Sequence, residues 1–309
     1  MKGDLVTALC ALYLSGGPSV PRVLVPRQRW TEVVGALRTL GGCPLAALAA
    51  AGLRAEAGVA ASRWDWAQRQ VESGSVLTPL CPGYPALWRD RLGDSAPPAL
   101  WRLGPRVPGG PAASVVGSRD LTGSEQDFAT SAGVALARLG YWTCSGGARG
   151  ADRLAMHAAL EAGGPGCELR PMGLGSRLEV PEGAGAFNLT LLSASDPADP
   201  FTTSAAMERN RWIYAAGEFT IVVAAQFKFG GTWHGAVSCL RDRLAPVLVR
   251  VGETSPDHAR AARVLVALGA FPIGDADLRD LDRLREVTSE ACTRGHSGRL
   301  FGASSSLWS

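Results

Sequence analysis

The chain has 309 residues, of which 46% are hydrophobic and 19% charged, and a formal net charge of +3. That length can bury a substantial core, and the even spread of apolar residues excludes global disorder. The small net charge neither demands nor excludes a nucleic-acid partner, because local clustering matters more than the sum. Seven cysteines occur singly, with no C-x-x-C pair and an odd count, which points to reduced thiols in a cytoplasmic protein rather than a disulfide framework or zinc site. The N-terminus lacks the basic-then-apolar order of a secretory signal, and no apolar run is long enough to span a bilayer. Lys2 and Lys228 are the only lysines. A coding bias accounts for the general excess of arginine, yet each arginine in a glycine turn is still a planar fork suited to phosphate.

Residues 1–75 read as a small helical domain, with Leu5, Leu9 and Leu12 on one face and Val33, Leu37 and Leu40 on another before Gly41-Gly42. A packing or spacer role is preferred there over a nucleic-acid-binding helical hairpin. A proline-rich linker follows, with Leu87–Leu92 and the extended Ala96–Trp101. From Ala113 the rhythm becomes strand, turn, helix. Strands are predicted at Ala113–Val116, Tyr141–Cys144, Cys167–Met172, Phe219–Ala224 and Pro246–Val249, with a short one near Asn188–Leu192. Helices are predicted at Ser124–Leu139, Ala148–Ala162, Ala205–Ala216, Thr232–Arg243 and Asp257–Leu268. Apolar strands alternating with amphipathic helices imply a parallel α/β sheet covered on both faces over residues 76–287. Residues 288–309 read as a polar, poorly ordered tail.

Ligands of such sheets sit beyond the carboxyl ends of the strands, where this sequence places its glycine turns. Ser145-Gly-Gly-Ala-Arg-Gly-Ala-Asp152 joins a strand directly to a helix, so backbone N–H groups and Arg149 converge where the helix dipole favours anions. Gly117-Ser118-Arg119 repeats the device after the preceding strand. Arg209-Asn210-Arg211 offers two more forks beside an amide, and Phe229-Gly-Gly-Thr232 forms a third turn. Asp152 reads as a first-turn carboxylate complementing the helix dipole, preferred over a catalytic role. His157 reads as a packed, hydrogen-bonded histidine. No nucleophilic triad can be assembled, and neither a metal site nor a cofactor is expected.

Together these residues resemble the DNA-processing protein A (DprA/Smf) family. The resemblance rests on Val116–Arg119, Ser145–Asp152, His157–Leu160 and Arg209–Arg211, with Tyr84-Pro85-x-Leu87 and Pro97-Pro98-x-Leu100 before them. Leu265–Ile273 resembles the helix that closes the family's Rossmann-like domain. The resemblance implies a non-enzymatic, cytoplasmic protein, a homodimer by family analogy, that binds single-stranded DNA and loads the recombinase RecA in natural transformation. Carried over by position, Ser118, Arg119, Gly146, Arg149, Gly150, Arg209, Asn210 and Arg211 would line its DNA groove.

Two departures bear on that groove. Ala206-Met207 stand where the family places Phe-Pro before its Arg-Asn-Arg, and Phe229-Gly-Gly-Thr232 replaces its Ser-Gly-Ser-type turn. A second reading comes from the echo of Met207–Arg211 and Gly230–Thr232 in phosphoribohydrolases of the lysine-decarboxylase-like (LOG) group, which implies a nucleotide in the same pocket. Gly235, Ala236 and Val237 lie where that chemistry needs a carboxylate.

Overall fold

The computed structural model describes residues 69–296, apart from 71, 78–82, 98, 105–108, 176–187 and 196. The expected N-terminal helical domain therefore falls almost entirely outside the described residues. The chain divides into two compact units, a smaller one built around the segment ending at Leu103 and a larger one that carries most of residues 104–309.

In the smaller unit, strands β1 (Val76–Leu77) and β2 (Leu100–Leu103) pair antiparallel. Helix α1 (Ala86–Leu92) buries Trp88 and Leu92. Tyr84 packs edge-on to Trp88 and donates its hydroxyl to the Pro97 carbonyl at 2.8 Å, so one aromatic pair ties the helix to the extended segment behind it.

The larger unit is a doubly wound α/β layer. Its elements are β3 (Ala112–Val116), α2 (Gly123–Arg138), β4 (Trp142–Ser145), α3 (Ala151–Glu161), β5 (Gly166–Arg170), β6 (Leu189–Ser193), α4 (Thr203–Ala216), β7 (Phe219–Val222), α5 (Gly230–Asp242), β8 (Val247–Arg250), α6 (Pro256–Ala267), β9 (Phe271–Ile273), α7 (Asp275–Arg279) and α8 (Leu281–His296). Six strands run parallel in the order β5-β4-β3-β7-β8-β9, with β6 beside β5. The order reverses between β3 and β7, and a crevice at such a switch point is where doubly wound sheets bind ligands.

The period of two along each strand sorts the helices onto two faces. Ala113 and Val115 of β3, with Phe219 and Ile221 of β7, join one core with Phe128 and Leu136 of α2 and Leu284 and Ala291 of α8. Between them, Ser114 donates to the Ile213 carbonyl of α4 at 2.6 Å on the opposite face. Each buried aromatic such as Phe128 contributes about 1.5–3 kcal/mol of transfer free energy. Helix α2 starts on a capping box: Thr122 accepts from the Glu125 amide, and the Glu125 carboxylate accepts from the Thr122 amide at 2.7 Å.

Two expectations need correction. The segment Leu265–Ile273 is not one helix. Helix α6 ends at Ala267, Gly269 takes a positive φ, and Phe271–Ile273 pairs with β8 as a sixth parallel strand. Pro272 fits because β9 closes that end of the sheet, where a missing N–H is tolerated. The polar tail expected from residue 288 begins instead as helix: α8 continues to His296 and buries Leu284, Val287 and Ala291 along one stripe. Among the described residues no helix is long and apolar enough to cross a membrane.

Candidate functional site

Parallel pairing of β3, β4 and β7 delivers three glycine turns to one edge of the sheet, where they lock together. Ser118 donates its amide to the Ala224 carbonyl at 2.9 Å, and the Ser118 carbonyl accepts from the Ala151 amide at 3.3 Å. Thr232, in the first turn of α5, donates its hydroxyl to the Gly117 carbonyl at 3.0 Å, bridging the switch point. Gly150 has a φ of +88°, and a Cβ there would overlap the Ser118 carbonyl and the Arg119 backbone. Only glycine admits this approach.

Beneath the turns lies a buried charged layer. The Asp152 carboxylate accepts from the Gly117 amide at 3.3 Å and from the Gly146 amide at 3.0 Å, so one side chain pins both loops. The Arg209 guanidinium faces it, 7% exposed, and donates to the Leu169 carbonyl at 3.0 Å. A Cβ at Gly146 would overlap that guanidinium, so any other residue there would have to displace the Arg209 side chain. Burial raises the Asp152 carboxyl above its usual range even against Arg209, and burial lowers Arg209 even against Asp152. Desolvation outweighs attraction on both groups, as expected of buried opposite charges held for architecture. Glu168, at 1% exposure, sits under the Gly147 turn and pairs with Arg170 at 2.5 Å; burial pushes its carboxyl up as well.

The expected site residues therefore separate. Ser118, Arg119, Gly146, Arg149 and Gly150 lie on abutting turns, and Asn210 meets them through Gly231, whose position a Cβ could not occupy without striking its amide. Arg119 is exposed. Arg149 is 73% exposed on its side chain and pairs with the equally open Asp120 at 2.7 Å. Arg209, expected as a fork in the groove, is instead buried under it. Arg211 pairs with Asp242 at the last residue of α5, at 2.8 Å, so it ties two helices together rather than joining the turns. Asp152 sits in the first turn of its helix as expected, but its carboxylate is spent on two loop amides. His157 is only partly packed: its side chain is 41% exposed, and its Nδ1 meets Glu161 one turn on at 3.3 Å.

Glu168 and Arg170 are not among the expected site residues, and Thr232 is expected only as part of the third turn. A Glu-x-Arg in an otherwise apolar strand, Gly166-Cys-Glu-Leu-Arg170, was the available signal for the first two. The first turn of α5 carries no acid; Gly235 lies against Tyr214, and Ala236 is fully buried. A second buried acid, Glu125, is built differently. Burial would raise its carboxyl, yet hydrogen bonds from Thr254, the Thr122 amide and His258 (2.7 Å) hold it below its usual range.

Residues 75–279 match the family of DNA recombination-mediator protein A. The chain belongs to this family. Among solved structures, DNA processing protein A from Streptococcus pneumoniae is 20% identical over 85% of this chain and 92% of its own, with a TM-score of 0.65. DNA processing protein A from Helicobacter pylori, whose structure concerns its unique single-stranded DNA binding mode, is 20% identical over 68% of this chain and 96% of its own, with a TM-score of 0.55. These likenesses show the shared fold. No curated protein sequence matches the chain.

Proposed function

We propose that the chain is a non-enzymatic, cytoplasmic single-stranded DNA-binding protein that works as a homodimer and passes the strand to RecA. The observation that carries this reading is the division of charge at the switch point. The Gly117 and Gly146 amides, which would cradle a phosphate in a nucleotide pocket, are already held by Asp152. An anion entering that floor would meet a carboxylate. Two accessible cations, Arg119 and Arg149, stand on the exposed side of the turns. Phosphates of a polymer crossing the rim meet two arginine forks, Arg149 exchanging the exposed Asp120 for a phosphate, and such contacts release counterions and make binding salt-dependent. Family membership and the single-stranded DNA binding of the Helicobacter pylori relative support the same reading.

Fluorescence anisotropy with labelled oligo(dT) tests it. Arg119→Glu with Arg149→Glu is expected to weaken binding at least about tenfold and to flatten the salt slope by about 1.4, two phosphate contacts at roughly 0.7 each. Unchanged affinity and slope would reject the rim as the interface. Release of free base from nucleoside monophosphates would reject the non-enzymatic part.

A further inference from the structure

We infer that Phe229 is a base-stacking residue, its exposed ring at the switch point taking a nucleobase of the strand whose phosphates lie on Arg119 and Arg149. This rests on the single-stranded DNA reading above and supplies its base-binding half. At 69%, Phe229 is the most exposed large hydrophobic among the described residues. A phenyl ring left in water gains nothing for the fold, and its neighbour already does the packing. Phe227 stacks edge-on to Trp233 at 5.1 Å, lies under the Arg260 guanidinium at 4.1 Å, and donates its amide to Asp257 at 3.0 Å.

The loop thus holds one phenylalanine down and presents the other. Lys228 between them adopts a left-handed φ of 59°, and the Phe229 amide closes a turn onto the Gln226 carbonyl at 3.2 Å. The turn fixes the backbone that carries the ring, so less of the loop is left to order when the ring meets a base. Its place fits as well. Thr232, three residues on, bridges to Gly117, so the Phe229 backbone stands about one helical turn from a residue tied to the loop that carries Ser118 and Arg119.

A nucleobase suits this ring better than a protein surface. Its neighbours Gln226, Lys228, Gly230 and Gly231 are all exposed and offer no contiguous apolar patch for docking. They do offer a cation for a phosphate and bare backbone for close approach. Stacking needs only a π-face, so it grips every base without reading sequence. Met207, also exposed on α4, lacks that face.

The test compares labelled oligo(dT) with an abasic strand of equal length at fixed salt, on the full chain and its Phe229→Ala and Phe229→Trp variants. Phe229→Ala is expected to weaken oligo(dT) binding about 5- to 150-fold, the range for one lost base–aromatic stack, and to leave the abasic strand and the salt slope unchanged. Phe229→Trp is expected to bind oligo(dT) as the native chain does. Native affinity for oligo(dT) in Phe229→Ala would overturn the assignment while leaving the DNA-binding reading intact. Equal loss on both strands would assign the ring a structural role instead. A change in mass by light scattering at native DNA affinity would assign it to a protein contact. A native chain that binds neither strand would bring down the DNA-binding reading, and this inference with it.

Discussion

Arg209 and Arg149 are the same side chain put to opposite uses within one site. Arg209 lies under the glycine turns, where its charge is opposed by Asp152 and its Nε meets no acceptor among the described residues. Arg149 stands in water above the same turns, tied only to an exposed aspartate. The buried fork fixes where the loops go; the exposed fork is free to exchange its partner for a phosphate. The difference teaches that proximity to a ligand edge does not make an arginine a ligand residue. Solvent access decides it.

The largest effect expected from this contrast is on stability. Asp152→Ala frees two loop amides and removes the carboxylate that opposes the Arg209 charge, so a loss of about 2–5 kcal/mol is expected in urea denaturation. Arg149→Ala, which breaks only an exposed pair, is expected to stay within about 1 kcal/mol of the native chain. Equal losses would dissolve the distinction. Next in size, Gly150→Ala forces a Cβ onto the Ser118 carbonyl at a positive φ, and a loss of about 1–3 kcal/mol is expected from the backbone conformation alone.

Acid sharpens the contrast between the two buried carboxylates. Glu125 has a folded pKa below its usual 4.5, so its contribution to stability is present above that value and fades as pH falls through the lower, folded one. Asp152 has a folded pKa above its usual 3.8, so the folded state takes up its proton first, and ionising it costs stability as pH rises from that value. Urea denaturation between about pH 6 and 3 is expected to show Glu125→Gln losing its disadvantage to the native chain on acidification. A gap that widens instead would place the shift in the wrong direction. The smallest effect concerns the rim: Asp120→Asn releases Arg149 and is expected to raise oligo(dT) affinity about two- to fivefold at low salt, in line with the small worth of an exposed ion pair.

Much of the fold was legible because its signals are local. The predicted strand Ala113–Val116 differs by one residue from Ala112–Val116, and the predicted helix Asp257–Leu268 from Pro256–Ala267 by one at each end. Strand β9 was hidden because three residues containing a proline carry no strand period of their own. Helix α8 was hidden by polar residues that outnumber its narrow apolar stripe. The burial of Arg209 had a faint signal: it precedes Ile213 by one turn of α4 and so shares its inward face.

By itself, the sequence determined an α/β sheet with its glycine turns at the carboxyl edge, because strand and helix periods and glycine's conformational range act over a few residues. It also marked Phe229 as a departure from the turn its family uses. Only the tertiary structure decided which cations face solvent, which amides are already taken by Asp152, and which phenylalanine of the Phe227-Lys228-Phe229 loop is left in the open. Those outcomes depend on desolvation and on contacts between segments dozens of residues apart, which no local pattern encodes.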